Sequence, residues 1–432
     1  MSVLFPSRGF RRTRERASGL LFAFGVDDLS TDLPTGQTLS LTRASGRTVY
    51  DASGRVQSIA HSQWPWSMQY NSTAAVWEPV LDLQPTTTNL CLQSENFGTT
   101  WAAVGTPTRT AAATTCGDLS LDLIGDDASG TLEGYTQTVT FTANAVKAVS
   151  LFLKAGTSTS TVVRLRDTTA SANRLLAVIT WASGVPTVTM TTGTSFGTIA
   201  CYGSVYRFLF QTTSVTAANT NSLEVYPATT SALAASGTGT VYAGGVQAEN
   251  AVAPGSYRKT TTATASNTGD LVSATVVVPV TSAFTVYLRV ARPFWSGVTS
   301  GWSGTMLLFG QASSVTNGWW LIELDPINQR VNASLGQAGS GQVSYRTIPS
   351  TGLFDVCVQY RNLTTAGQSR IDIGDGNGFA AYSSTVAAIS QWDSTTTYLG
   401  DRIATSQPYT GIRRAIIASG ERTLSEMQGL AV

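Results

Sequence analysis

From residue 86 onward, turn signals built on Gly and Pro break the chain into short runs. Each run mixes branched or aromatic residues with polar ones. Val149–Gly156, Thr161–Arg166, Leu175–Trp181, Val205–Phe210 and Thr240–Ala243 form one series, and Gly184-Val-Pro186 turns the third. A second series runs Phe284–Val290, Met306–Phe309, Trp319–Leu324, Val331–Leu335, Phe354–Tyr360, Ile371–Ile373 and Gly411–Ala418. Branched side chains pack well on a pleated surface, and a side-chain period of two suits a strand with one buried face. No 3.6-residue periodicity competes over these stretches. Such spacing predicts antiparallel sandwiches. The single helical expectation lies at Arg422–Leu430, where Thr423 and Glu426 have the spacing of a capping box.

Composition agrees with a folded, all-β chain. Of the 432 residues, 12% are charged and 42% are hydrophobic, which argues against disorder. The net charge of +1 gives no global field for nucleic acid. Cys91, Cys116, Cys201 and Cys357 form no CxxC pair. They are expected as reduced, buried thiols in a core large enough to need no staples. No apolar run approaches the length that spans a bilayer, and Leu20–Phe24 is too short for a signal-peptide core. Synthesis in a cytoplasm without export is expected.

Three regions are expected: a basic arm and anchor or connector over 1–85, one sandwich over 86–262 and a second over 263–432. The arm carries Arg8, Arg11, Arg12, Arg14 and Arg16 around a single Glu15. It suits docking on an acidic patch, contact with nucleic acid, or a solvated tail. Phe5 and Phe10 favour docking, because a solvated tail rarely carries such residues.

Little points to catalysis. His61 is the one histidine, it lies in the turn-rich connector, and no G-x-S-x-G elbow is present. Histidine–cysteine zinc clusters and a phosphate-binding loop are missing too. Glu323-Leu-Asp325 has the alternate spacing of a glycosidase carboxylate strand. Pro326, Ile327 and Asn328 then leave the acid unfilled at either spacing. Asp372, Asp375 and Asn377 supply oxygens for a calcium loop, yet Asp-Gly and Asn-Gly are also the favoured hairpin dipeptides. A bare hairpin is expected there, with no metal and no cofactor.

A resemblance rests on two sets of residues. Leu41, Arg43, Ser45, Asp51, Gly54 and Val56 look like a stretch that precedes a Thr-Asn-Leu motif, here Thr88-Asn89-Leu90, in bacteriophage virion proteins. Gly245-Val-Gln247-Ala-Glu249 and Ser256-Tyr257-Arg-Lys-Thr260 look like the closing motif of their carbohydrate-binding-module-like sandwich. The strand-then-helix ending resembles concanavalin A-like (laminin-G-like) domains. This resemblance implies a non-enzymatic virion protein of fibre, spike or decoration type, with capsid or tail proteins as partners. It also implies a homo-oligomer, with a trimer as the expectation for fibres. A secreted bacterial glycan-binding protein is the alternative, and a polysaccharide depolymerase would need a carboxylate pair that the sequence does not offer.

Ten tryptophans stand out, with Trp295, Trp302, Trp319 and Trp320 close in sequence. Aromatic faces stack on sugars, so host glycans, subunit contacts and core packing all remain as roles. Neighbours on one strand point to opposite faces, so at most one of Trp319 and Trp320 faces the core.

Overall fold

The computed structural model describes residues 20–25, 39–71, 76–127, 130–235, 237–276, 278, 280–291, 306–311, 319–325, 327–337, 340–347, 353–361, 363–364, 370–374, 379–383, 389, 392, 396–399 and 410–430. The docking-arm residues Phe5 to Arg16 lie outside them, as do Trp295, Trp302, Asp375 and Asn377. Among the described residues the chain is all-β apart from a 3-10 turn at Tyr202–Ser204 and the helix Leu424–Leu430.

One sandwich is built from contiguous sequence. Its first sheet has the order Thr194–Ala200, Tyr206–Gln211, Ala148–Ala155, Gly239–Glu249, Leu119–Asp126, Thr108–Cys116. Its second runs Val185–Thr192, Ala172–Ala182, Ser160–Asp167, Asn221–Tyr226, Gly134–Val139, Ala102–Val104. Every ladder in both is antiparallel. Alternation sends Val149, Leu151 and Leu153 inward to meet Val163, Leu165, Leu223 and Val225 from the facing sheet.

The other sandwich is assembled from two distant stretches. Its larger sheet runs Phe379–Ser383, Arg370–Gly374, Leu353–Arg361, Phe284–Ala291, Thr410–Ser419, Val76–Leu83, Trp66–Asn71, and Leu20–Gly25 also pairs with Thr410–Ser419. The facing sheet starts with Leu39–Thr42 beside Leu271–Thr275 and continues through Thr396–Leu399, Met306–Gln311, Trp319–Asp325, Arg330–Gln337 and Ser340–Thr347. Four strands of the segment expected as a connector are therefore structural members of this sandwich. The physical reason is that Leu81 and Leu83 are apolar enough to join its core, beside Val286 and Leu288. Pro79 is accommodated because the ladder to Thr410–Ser419 covers only Leu81, Asp82 and Leu83, so its missing N–H faces no partner there.

The contiguous sandwich is thus an insert in the other, which serves as its framework. Thr87–Asn89 pairs antiparallel with Ala265–Asn267, tying together the two crossings between them. The expected capping box is present: Glu426 N–H donates to Thr423 Oγ1 at 3.3 Å, and Thr423 N–H donates to Glu426 Oε2 at 2.6 Å. Met427 packs the helix against Tyr287, Cys357 and Ile416 on the outer face of the larger sheet.

Candidate functional site

The residues that carried the sequence resemblance converge in one place. Asp270 is fully buried and holds two arginines: Arg43 Nη1 donates to it at 3.0 Å, and Arg47 Nη1 donates to its other oxygen. Arg47 also pairs with Asp82 at 2.8 Å. Arg43 donates as well to the carbonyls of Ala60 and Gln63, at 2.8 and 2.7 Å. Ser45 Oγ accepts from Thr268 N–H at 2.7 Å. A charge taken out of water needs such pairing to be tolerated at all.

The next part of the motif shapes a tight turn. Asp51 Oδ1 accepts from the backbone of Ser53 and Arg55. Gly54 has φ +78°, and a Cβ on it would fall within 2.6 Å of the Trp77 ring, so both the conformation and the space call for glycine. Val56 enters a cluster with Cys116, Leu119, Leu121, Phe152 and Tyr257 on the insert's first sheet.

The insert's own motifs complete the clasp. Asn89 donates to the carbonyls of Val246 and Arg258, at 3.0 and 2.9 Å, and accepts from Cys91 and Ala248 N–H. Gln247 Oε1 accepts from Arg258 N–H at 2.7 Å, and Glu249 Oε2 from Gly255 N–H at 2.9 Å. Burial pushes the Glu249 carboxyl up from its ordinary value. Tyr257 donates to Glu95 at 2.9 Å, and Thr260 Oγ1 donates to the Cys91 carbonyl at 2.6 Å. These residues lock the chain's path between two sandwiches. They present no reactive group to solvent.

Beside this clasp a shallow depression of about 270 Å³ opens, lined in part by Gln93, Glu95, Asn96, Arg109, Asp122 and Lys259. Asp122 accepts from Phe97 N–H, Ala112 N–H and Arg109 Nε at 2.7–2.9 Å. Glu95 accepts from Tyr257, Ser120 N–H and Lys259, the last at 2.7 Å. Each carboxylate is thereby matched to a cation and to backbone donors. The result is a polar, hydrogen-bonding surface rather than an acid–base pair poised over a bond. Sequence reading missed Arg109 and Asp122, whose partnership across the Thr108–Cys116 and Leu119–Asp126 hairpin leaves no local pattern. Lys259 is visible in the sequence only as a member of the Ser256–Thr260 motif.

The expected aromatic site divides. Trp320 is fully buried between Phe284, Phe309 and Tyr360, and its indole N–H donates to Gln311 Oε1 at 3.1 Å. It is a core residue with no face left for a sugar or a second subunit, which corrects that part of the expectation. Trp319 is half-buried on the opposite face of the strand, with Leu321 and Glu323.

Glu323 accepts from Ser334 Oγ at 3.2 Å. Burial alone would raise Asp325, but bonds from Asn328 and the charge of Arg330 at 3.0 Å outweigh it and hold the carboxyl below its usual range. Asp325 is thus an anchor for the following turn. Asp372 sits within the Arg370–Gly374 strand, buried, and is paired with Arg361. That strand pairs antiparallel with Phe379–Ser383, with Gly374 opposite Phe379, and Asp375 and Asn377 lie outside the described residues. Among the described residues no group of three or more His, Cys, Asp or Glu side chains is placed to hold a metal. His61 is exposed in a turn. No helix among the described residues is long and apolar enough to cross a membrane.

No protein-family model matches the chain, and no curated protein matches it. Solved structures give distant likenesses. A structure described as the crystal structure of the receptor binding domain aligns at TM-score 0.28 and 11% identity, covering 38% of this chain and 39% of that one. Domains LG4-5 of the mouse laminin alpha1 chain align at TM-score 0.21 and 8% identity, covering 78% of this chain and 88% of that one. A tail fibre protein from an E. coli phage aligns at TM-score 0.20 and 11% identity, covering 77% of this chain and 41% of that one. Scores this low fix no correspondence between residues.

Proposed function

We propose that this protein is a structural component of a bacteriophage virion, of the fibre, spike or decoration kind. It docks on capsid or tail proteins through its N-terminal arm and displays the two sandwiches toward host-surface glycans. The reading assigns it no catalytic activity. One observation carries it. Arg43, Ser45, Gly54, Asn89, Gln247 and Tyr257 were singled out for a phage-protein resemblance while lying up to about 200 residues apart. All but Gly54, which shapes the adjoining turn, make hydrogen bonds in the clasp joining insert to framework. Residues that hold one geometry together are the ones a shared architecture requires, so their convergence supports the resemblance as a whole. The carboxylates that looked closest to a glycosidase pair are engaged in turns and strand pairs, which supports a displaying rather than a cleaving role.

Immunogold labelling of purified particles with antibody against the full chain tests the reading. Label at a fixed place on each particle is the expected result, and particles without label would overturn it. Incubation of the protein with host capsular polysaccharide should release no reducing ends. Release would replace the displaying role with a depolymerase.

A further inference from the structure

Two of the four cysteines meet. Cys116 ends an edge strand of the insert's first sheet, and Cys201 immediately precedes the 3-10 turn beyond the strand at that sheet's opposite edge. Cys116 belongs to the cluster that holds Leu119, Phe152, Val205 and Tyr257, and Cys201 packs against that same cluster. Cys116 Sγ donates to Gly54 O at 3.7 Å and Cys201 Sγ to Ile199 O at 3.6 Å, and each thiol lies close enough to shift the other's titration. Both also border one carbonyl: Cys116 Sγ lies 3.7 Å from Gly54 O, which accepts from the N–H of Tyr202, the residue after Cys201, at 3.2 Å. Cys91 and Cys357 sit in two other clusters, buried and apart.

We infer that Cys116 and Cys201 form a disulfide when the protein meets an oxidising thiol–disulfide buffer, stapling the two edges of this sheet beneath the Asp51–Val56 turn. The oxidant is a small-molecule disulfide of the glutathione type. One protein thiolate attacks a sulfur of the small disulfide and expels one small thiolate. The other protein sulfur, deprotonated in turn, attacks the protein sulfur of that mixed disulfide and expels the second. Two S–H bonds are lost, one S–S bond forms in the protein, and two small thiols carry away the electrons and protons. Cys201 is half-buried, which gives the oxidant a way in. Its neighbour Cys201 holds the Cys116 thiol below its ordinary value, which suits Cys116 to the second attack, on the mixed disulfide formed at the accessible Cys201, whose own thiol burial raises. Burial also pushes Cys91 and Cys357 up to about 12, and neither shares its cluster with a second cysteine.

The geometry gives the staple a structural consequence. The Asp51–Val56 turn is seated on both cysteine-bearing segments: Val56 bridges Gly117, Asp118 N–H donates to Val56 O at 2.8 Å, and the Arg55 guanidinium lies 4.0 Å from the Tyr202 ring centre. A bond between positions 116 and 201 closes a loop of 85 residues (201 − 116) and fixes the seat on which this turn rests.

The test uses the full chain, native, in buffers of reduced and oxidised glutathione. Under oxidising conditions two of the four thiols should disappear. Peptide mapping should find one linked pair, Cys116 with Cys201, about 2 Da lighter than the two free peptides. The midpoint of insert unfolding should rise by roughly 10 °C and return on reduction. C91S should leave the two-thiol loss unchanged. Four thiols surviving native oxidation, or a linked pair other than 116–201, would overturn the inference. The linked-peptide readout needs no cysteine variant, so a variant that fails to fold leaves the test intact.

Discussion

The insert and the framework are both two-layer sandwiches, yet they are made differently. Every insert strand comes from residues 102–249, and most pair with a neighbour a short loop away. The framework draws on residues 20–83 and 271–419, and ladders such as Leu39–Thr42 with Leu271–Thr275 join residues more than 200 positions apart. Loop closure must precede the reward of such contacts, so a discontinuous sandwich costs more chain entropy to assemble. The difference explains where the charged groups went. The buried Arg43–Asp270–Arg47 set stands where framework, clasp and insert meet, and pins strands that have no short turn to set their register.

The largest expected effect follows from that set. Asp270→Ala leaves two arginines buried without their shared carboxylate and should destabilise the protein by about 3–5 kcal/mol. Hydrogen exchange followed through a denaturant series should show the framework strands Leu39–Thr42 and Leu271–Thr275 losing protection first. The insert strands 148–155 and 160–167 should keep theirs. Equal loss in both would show that the insert has no stability of its own and would end the contrast.

The same contrast decides what the sequence made legible. Runs of branched and aromatic residues in 148–155, 160–167, 172–182, 284–291 and 353–361 place strands to within three residues, because these strands are buried on both faces over most of their length and so read as near-continuous apolar runs. Trp66–Asn71 and Val76–Leu83 fall in a region whose sequence suggests only short strands and turns of a connector, with no sign of the sandwich they join. Pro65 borders the first and Pro79 interrupts the second, and the second strand's further partner, Thr410–Ser419, lies far along the chain. The clasp was legible as a set of motifs but not as a place. Asn89 and Tyr257 mark its two ends, while Asp82 and Asp270 look like ordinary isolated carboxylates until folding brings Arg47 to them. The Arg109–Asp122 pair of the depression was invisible for the same reason.

A smaller effect sharpens the insert's side. Asn89→Ala removes two donated and two accepted hydrogen bonds at the crossing where the insert begins, stranding the carbonyls of Val246 and Arg258. The expected cost is about 2–3 kcal/mol, read from the urea midpoint at unchanged m. Protection should fall first in Thr87–Asn89 and Ala265–Asn267, the two paired crossings. A loss spread evenly through the insert would mean that Asn89 supports its core rather than its attachment.

The smallest effect is a pH dependence that belongs to the insert alone. Asp167 accepts from Arg174 at 2.7 Å, from Ala170 N–H at 2.9 Å and from Asn219 at 2.9 and 3.0 Å. The Arg174 bond is the chief cause of its depressed carboxyl, lowered from 3.8 to about 2, and these partners outweigh the burial that opposes them. A group depressed in the folded state binds its proton more readily when unfolded. Its contribution is therefore present in full above the unfolded value of 3.8 and is lost as pH falls toward about 2. Asp167→Asn should lower insert stability at neutral pH, and the gap to the unsubstituted protein should close across that acid window as the other carboxylates titrate equally in both. A gap that stays constant through the window would assign Asp167 a role set by shape and hydrogen bonding, with no charge in it. The framework strands, which do not touch this turn, should titrate identically in the two proteins.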